Sequence, residues 1–335
     1  MNRDTTRREF LRATAAAATA GVTLGELLAP AAALAGDEAA RRRPRVVIGR
    51  DDALATGRVS EHGELLVKLV GASLQKLTGA ADPSAAWRSL FRTSDRIGIK
   101  VNTLGRPTQP AVVDAVVAGL RQAGVPAENI IIWDRFDYEL DAAGYKLNKS
   151  RQGVRCHGTD AERIGRGYQS DVETSGSIGS CFSRIVAEQV DAIISMPVLK
   201  DHSLAGASLG MKNFFGAIHN PNKYHGTNCD PYITDVVSHR FIRPRWRLTV
   251  CDATRAQVHA GPTLHPGFEW PFGGVILSDD FVASDAVAAD LLIRERAERG
   301  MRSLEREGRP AKHIATAAER GLGVADLERI ERIEV

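Results

Sequence analysis

Between Pro197 and Asp230 the sequence gathers most of its groups able to do chemistry. Lys200, Asp201 and His202 come first, then small residues (Ala205, Gly206, Ala207, Ser208, Gly210), then Lys212 and Asn213, then His219 and His225. Of nine histidines in 335 residues, His202, His219, His225 and His239 fall within 38, where an even spread would put about one. A neutral imidazole ligates transition metals, and it also moves protons near neutral pH. Cys229, four residues past His225, adds a soft ligand, although the spacing matches no standard zinc pattern. Lys212 stands beside Phe214 and Phe215 in a glycine-lined stretch. Such surroundings depress an ammonium pKa and make the amine nucleophilic, unless the lysine pairs with a neighbouring acid. Glycine and serine let the backbone approach a ligand without Cβ clashes.

These residues need elements to hold them. The apolar run Asp191–Met196, closed by Pro197, reads as a buried parallel strand. In open α/β sheets ligands sit beyond the carboxyl ends of the strands. Further strands are predicted over 45–49, 96–102, 129–134, 247–252 and 274–278. Helices are predicted over 61–77, around Trp87 to Phe91, and over 109–122, 181–189 and 281–298, with another from a cap at Asp230 through Val237. The stretch 137–179 reads as a surface excursion with a hairpin. Four strand ends then share one rim: Lys100 with Asn102, Asp134, Lys200 with His202, and Asp252. A lysine at such an end is a clamp for a carboxylate or phosphate, and Asn102 can bond a carbonyl or hydroxyl. Asp134 and Asp252 either join the rim or cap the helices that follow. The expected fold is one α/β domain over 45–335, a mainly parallel sheet with helices on both faces.

Composition narrows the partners. The net charge is +3 and no basic patch dominates, so nucleic-acid binding is not suggested. The four cysteines, Cys156, Cys181, Cys229 and Cys251, have no Cys-x-x-Cys spacing, which makes an iron–sulfur redox protein the weakest reading. Thr6-Arg7-Arg8-Glu9-Phe10-Leu11-Arg12 is a twin-arginine pattern, followed by an alanine-rich segment and a small-x-small site at Ala33-Leu34-Ala35. Residues 1–35 are therefore expected to be a signal peptide and 36–44 a linker. The partner is the twin-arginine translocation machinery, and the destination is periplasmic or extracellular. Glu26 and Pro30 break the apolar segment, so no stable membrane span is expected after processing.

Two resemblances add to this reading. Gly98-Ile-Lys100-Val-Asn102, Pro197-x-x-Lys200-x-His202, Met211-Lys212-Asn213-x-x-Gly216, Asp230-Pro-Tyr232, Cys251-Asp252-Ala253 and Ser284-Asp285-x-Val-Ala288 together resemble the domain-of-unknown-function 362 family over residues 45 to 295. That family by itself implies no reaction. Some of its members carry ferredoxin-type clusters on cysteine-rich segments that this chain lacks. More locally, the stretch from His202 to Lys212 resembles the His-x-x-Ala-Gly-x-Ser-Gly-Gly-x-Lys stretch of nickel-pincer lactate racemases, with Leu209 in place of a glycine. That resemblance implies a nickel pincer nucleotide carried on Lys212, proton work by His202, and a metal ligand at His225 or else His219. Gly206 and Gly210 would line the cofactor. The expected function is an exported, metal-dependent enzyme moving a proton or hydride on a small anionic hydroxy acid. Its catalytic set is His202, Lys212 and Lys200, and its substrate-binding set is Lys100, Asn102, Asn213 and Ser208. The alternative is a non-catalytic periplasmic binder of an anionic ligand.

Overall fold

Short apolar runs make the central sheet, and helices with one apolar stripe cover both of its faces. In this computed structural model residues 43–161 and 167–335 are described. The twin-arginine segment and its cleavage site lie outside them. Residues Pro44–Val335 form one compact unit.

Strand β1 (Arg45–Arg50) is followed by α1 (Gly63–Thr78) and α2 (Pro83–Leu90). Next come β2 (Ile97–Val101), α3 (Pro110–Gln122), β3 (Ile130–Trp133), α4 (Asp137–Ala142) and β4 (Arg155–Cys156). The hairpin β5 (Glu173–Ser175) and β6 (Ile178–Ser180) precedes β7 (Ala192–Met196), β8 (Val198–His202) and β9 (Gly206–Ala207). The chain ends with α5 (Tyr232–Val237), β10 (Trp246–Gln257), β11 (Glu269–Trp270), β12 (Gly274–Ser278), α6 (Phe281–Glu298), α7 (Lys312–Glu319) and β13 (Glu331–Glu334). The strand order is β13-β1-β12-β10-β7-β2-β3-β4. From β10 to β4 every neighbour is parallel, whereas β12 runs antiparallel to both β10 and β1. The protein is thus an α/β fold with a mainly parallel sheet.

Strands covered on both faces read as continuous apolar runs, and every residue of β2, β7 and β12 is buried. Side chains alternate between the two layers of core. Ile194 and Met196 of β7 join Leu66, Trp87 and Val116 under α1, α2 and α3, while Ile193 joins Phe182, Phe214 and Val287 on the other face. Helix starts are locally encoded. The Asp82 carboxylate accepts the Ala85 N–H ahead of Pro83, and Asp280 accepts those of Val282 and Ala283.

Three expectations need correction. Pro197 does not end the strand run. The chain continues as β8, which pairs with the far half of β10 (Val198 with Asp252, Lys200 with Gln257), because β10 spans 12 residues and reaches past the rim. Lys200 and His202 are therefore strand residues. Over 181–189 only Ile185–Gln189 coil, as a π-type turn, since Phe182 pairs with Ile218 in an isolated bridge. Helix α5 begins at Tyr232 without a side-chain cap, so Asp230 does not cap it.

Helix α3 meets α2 through Gly119, where an added Cβ would lie 2.1 Å from Nε1 of the buried Trp87. Glycine to alanine inside a helix ordinarily stabilises by about 0.5–1 kcal/mol. Here overpacking reverses the sign, and Gly119→Ala is expected to destabilise by about 1–3 kcal/mol in urea melts, with Trp87→Leu reducing that penalty.

Candidate functional site

The carboxyl rim of β2 and β3, the end of β8 and the turn Lys212–Ala217 enclose a cavity of about 390 Å³. Two lysines form its inner support. Lys100, fully buried on β2, donates from Nζ to Asp134 Oδ1 (2.6 Å), the Val101 carbonyl (2.6 Å) and Asn213 Oδ1 (3.2 Å). Asn213 in turn donates to the Lys100 carbonyl and to Ser195 Oγ. The second Asp134 oxygen accepts the Thr103 N–H and hydroxyl, both at 2.9 Å. Gly216 is required here, because a Cβ would come within 2.9 Å of Lys100 Nζ and 2.8 Å of Asp134 Oδ1. Burial lowers the Lys100 pKa, and the neighbouring Asp134 opposes that shift.

Lys200, on β8, donates to Asn102 Oδ1 (2.7 Å), the Leu104 carbonyl (2.6 Å) and the Arg106 carbonyl (2.9 Å). Burial brings its pKa down to about 7. Each of these two ammonium groups already has three acceptors, and an ammonium has three hydrogens. Lys100 and Lys200 therefore shape the rim rather than present a clamp, and Asn213 is equally committed. Lys200 does not line the cavity. Asp252 lies within β10 and is also occupied. It accepts Thr254 N–H and hydroxyl on one oxygen and Gln109 N–H, at the start of α3, on the other.

Lys212 differs from both. It is 8% exposed and lines the cavity, with Nζ 3.3 Å from His225 Nε2 and 4.0 Å from the centre of the Phe215 ring. Among the described residues no carboxylate pairs with it. Burial lowers its pKa to about 8. His225 Nδ1 lies 2.9 Å from the Pro221 carbonyl, which can only accept, so the proton sits on Nδ1 and the Nε2 lone pair faces Lys212. His202 has the opposite tautomer. Its Nδ1 accepts the N–H groups of Leu204 (3.1 Å) and Ala205 (3.2 Å), which leaves the proton on Nε2. Burial first, then the Lys212 charge, holds the His202 pKa down to about 2, so the ring stays neutral. The two rings lie 5.8 Å apart at 24°. His202 therefore offers an N–H and His225 a lone pair to one cavity.

Groups to which the sequence reading gave no role complete the arrangement. Asp285, on α6, accepts the Gly210 N–H (2.8 Å) on one oxygen and the Met211 N–H (2.9 Å) on the other, setting the backbone just before Lys212. Burial raises its pKa to about 7. Asp201, beside His202, takes Arg309 Nη1 at 2.8 Å, and the same nitrogen donates to the His202 carbonyl. Arg135 and Glu139 also line the cavity, and Arg135 donates to the His219 carbonyl. His313, fully buried on α7, has no partner for either ring nitrogen among the described residues, and burial brings its pKa down to about 3.

Of the remaining sequence expectations, Asn102, Ser208 and His225 line the cavity, but His219, Gly206 and Gly210 do not. His219 is exposed, with Nδ1 at 3.3 Å from Ser180 Oγ, because the turn after Ala217 carries it outward. Gly206 (φ +75°) instead lets β9 pass the Arg309 carbonyl, 2.4 Å from where a Cβ would be. Gly210 packs on Asp285. Among the described residues no group of three or more His, Cys, Asp or Glu side chains is gathered as for a metal ion, and all four cysteines are free. No described helix is long and apolar enough to cross a membrane.

Comparison with known proteins gives a family match and a likeness to a solved structure. Residues 97–290 match the family described as "Domain of unknown function (DUF362)". A crystal structure of a Thermotoga maritima protein, a Northeast Structural Genomics Consortium target, aligns with 71% of this chain at 12% identity and a TM-score of 0.43, and the chain spans 59% of that protein. No curated protein matches.

Removing one member of a buried ion pair leaves the other charge without compensation. Lys100→Met and Asp134→Asn are each expected to cost about 3–5 kcal/mol in denaturant melts, and the double variant less than their sum. Because the Lys212 pKa lies near 8 rather than 10.5, its neutral amine grows as pH rises through about 8. At pH 8 about half of Lys212 is then neutral, against well under 1% of an ordinary lysine. Pulsed acylation read by peptide mass should single out Lys212 there, and a labelling midpoint shared with surface lysines would contradict the assignment.

Proposed function

This chain belongs to the domain-of-unknown-function 362 family, and on that footing we propose that the rim cavity is an active site moving a proton or hydride on a small hydroxy- or oxo-acid anion. The observation that carries the reading is Lys212, a buried amine with no carboxylate partner among the described residues, set beside the lone pair of His225. Holding such a charge unpaired costs stability, of the order of several kcal/mol. It also keeps an amine poised near neutral pH, as acid–base chemistry needs. The cavity is rich in donors for an anion: the Arg135 guanidinium, the Asn102 amide, the Ser208 hydroxyl and the His202 Nε2–H. His202 polarises a carbonyl or hydroxyl oxygen by donation, which replaces the expected proton transfer by that ring. His225 accepts the proton.

The nickel-pincer reading is the other form this proposal takes, in place of a free amine at Lys212. Lys212 would carry the nucleotide and His225 Nε2 would supply an imidazole ligand, which fits the lone pair beside the amine. Such a group supplies a hydride acceptor. Export by the twin-arginine route would deliver the folded enzyme to the periplasm or beyond. The donor-lined wall equally favours a second reading, a binder of anionic ligands without catalysis.

Protein isolated from its own organism should exchange the C2 hydrogen of hydroxy acids or the C3 hydrogen of oxo acids in deuterium oxide, followed by proton NMR. Lys212→Met is expected to lower that rate by about 10²–10⁴ while leaving the fold at least as stable. Intact mass and metal analysis of the same sample tests the pincer: an adduct on Lys212 with stoichiometric nickel supports it, and a bare lysine without metal removes it. Calorimetric binding of oxo acids with no exchange would leave the binder.

A further inference from the structure

We propose that Lys212 acts as a free amine and forms an imine with the carbonyl of a 2-oxo acid whose substituent is apolar. This rests on the reading of the cavity as an active site for small acid anions, and it names the bond that forms and the substrate class.

Four observations converge on it. The amine is held against an apolar ring face, 4.0 Å from the Phe215 centroid, with a single imidazole lone pair at 3.3 Å to receive its proton. His202 presents an N–H across the same space, because two backbone donors occupy its Nδ1. That is the polarity a carbonyl oxygen requires while a nucleophile attacks its carbon. Arg135 and the Asn102 amide face the cavity with donors suited to the carboxylate. Finally, the mouth is apolar where water meets it: Leu104 is 55% and Leu204 46% exposed, and both line the cavity together with Pro262. Here they offer a place for an alkyl or aryl substituent whose acid group lies inside.

The step balances without an added oxidant or reductant. The Lys212 ammonium gives one proton to His225 Nε2. The neutral amine adds to C2, forming an N–C bond, and the carbonyl π pair moves to oxygen under the His202 N–H. A proton passes from nitrogen to that oxygen. The hydroxyl then takes the His225 proton and leaves as water while the nitrogen lone pair forms C=N. One ammonium and one carbonyl have become one iminium and one water, and His225 is neutral again. The iminium draws electrons from the adjacent C3–H bond, so the hydrogen made exchangeable is the one on C3.

The test uses the full chain, 4-methyl-2-oxopentanoate or pyruvate, and borohydride, with intact and peptide mass as the readout. The expected result is a borohydride-dependent gain equal to the acid less one oxygen atom, located on Lys212 and lost in Lys212→Arg. The branched acid should half-saturate trapping at a concentration roughly tenfold below pyruvate, as burial of about half of its three extra carbons implies. Leu104→Ser with Leu204→Ser should narrow that difference. Calorimetry on Lys212→Arg, with a thermal melt as a check on folding, shows whether the acids still bind. Binding without a Lys212 adduct overturns the imine and leaves the proposed active site standing; neither binding nor adduct overturns both. Equal trapping of the two acids overturns the apolar substituent. A Lys212 found already modified overturns the free amine in favour of a lysine-borne cofactor.

Discussion

An ammonium group inside an α/β core needs an oxygen or a lone pair for each of its hydrogens, and three lysines at one rim of this sheet meet that requirement unequally. Lys100 has Asp134, a carbonyl and the Asn213 amide oxygen. Lys200 has two carbonyls and the Asn102 amide oxygen. Those six acceptors lie on segments far apart in the chain, so satisfying the charges also fixes the 102–106 loop, the end of β3 and the Lys212–Ala217 turn against one another. Lys212 is left with one imidazole. The chemistry of the cavity follows from this difference, since two cations are spent on holding its walls and the third is spare.

Backbone groups assign the two imidazoles their parts. A carbonyl can only accept and an amide N–H can only donate, so the partner of Nδ1 decides which face of each ring meets the cavity. Pro221 makes His225 an acceptor there, and Leu204 with Ala205 makes His202 a donor. The amine thus lies in a field with a defined direction. Two carboxylates keep that direction by holding backbone rather than substrate. Asp285 grips the chain ahead of Lys212, and Asp201 with Arg309 braces the strand end that carries His202. Both lie behind the cavity walls, where they exert their effect through position alone.

The architecture was largely legible in the sequence, because a strand buried on both faces and a helix with one apolar stripe have patterns of their own. Residues 97–101, 110–122, 192–196 and 274–278 fold as their patterns require, and 281–298 is a helix buried all round over its first half rather than along one stripe. Where the reading failed, a distant contact had intervened: β10 carries β8 past Pro197, and Ile218 draws Phe182 out of a helix. The site was legible in its membership but not in its roles. Lys100, Asn102, His202, Ser208, Lys212, Asn213 and His225 do gather at one cavity, as expected from strand ends and the small-residue stretch after them. His219 and Lys200 do not face it. Arg135 and His313 carry no local signal at all, and Asp201 and Asp285 stood in quoted stretches without a role.

Sequence by itself determined most of the order of strands and helices, the rim at which polar residues emerge, and the family, because these depend on residue type and spacing within short stretches. Tertiary structure alone decided which lysine is spare, which nitrogen of each histidine bears the proton, and which carboxylates brace the site. Those outcomes depend on whether an acceptor from a remote segment arrives within hydrogen-bond distance, and no local pattern encodes that distance.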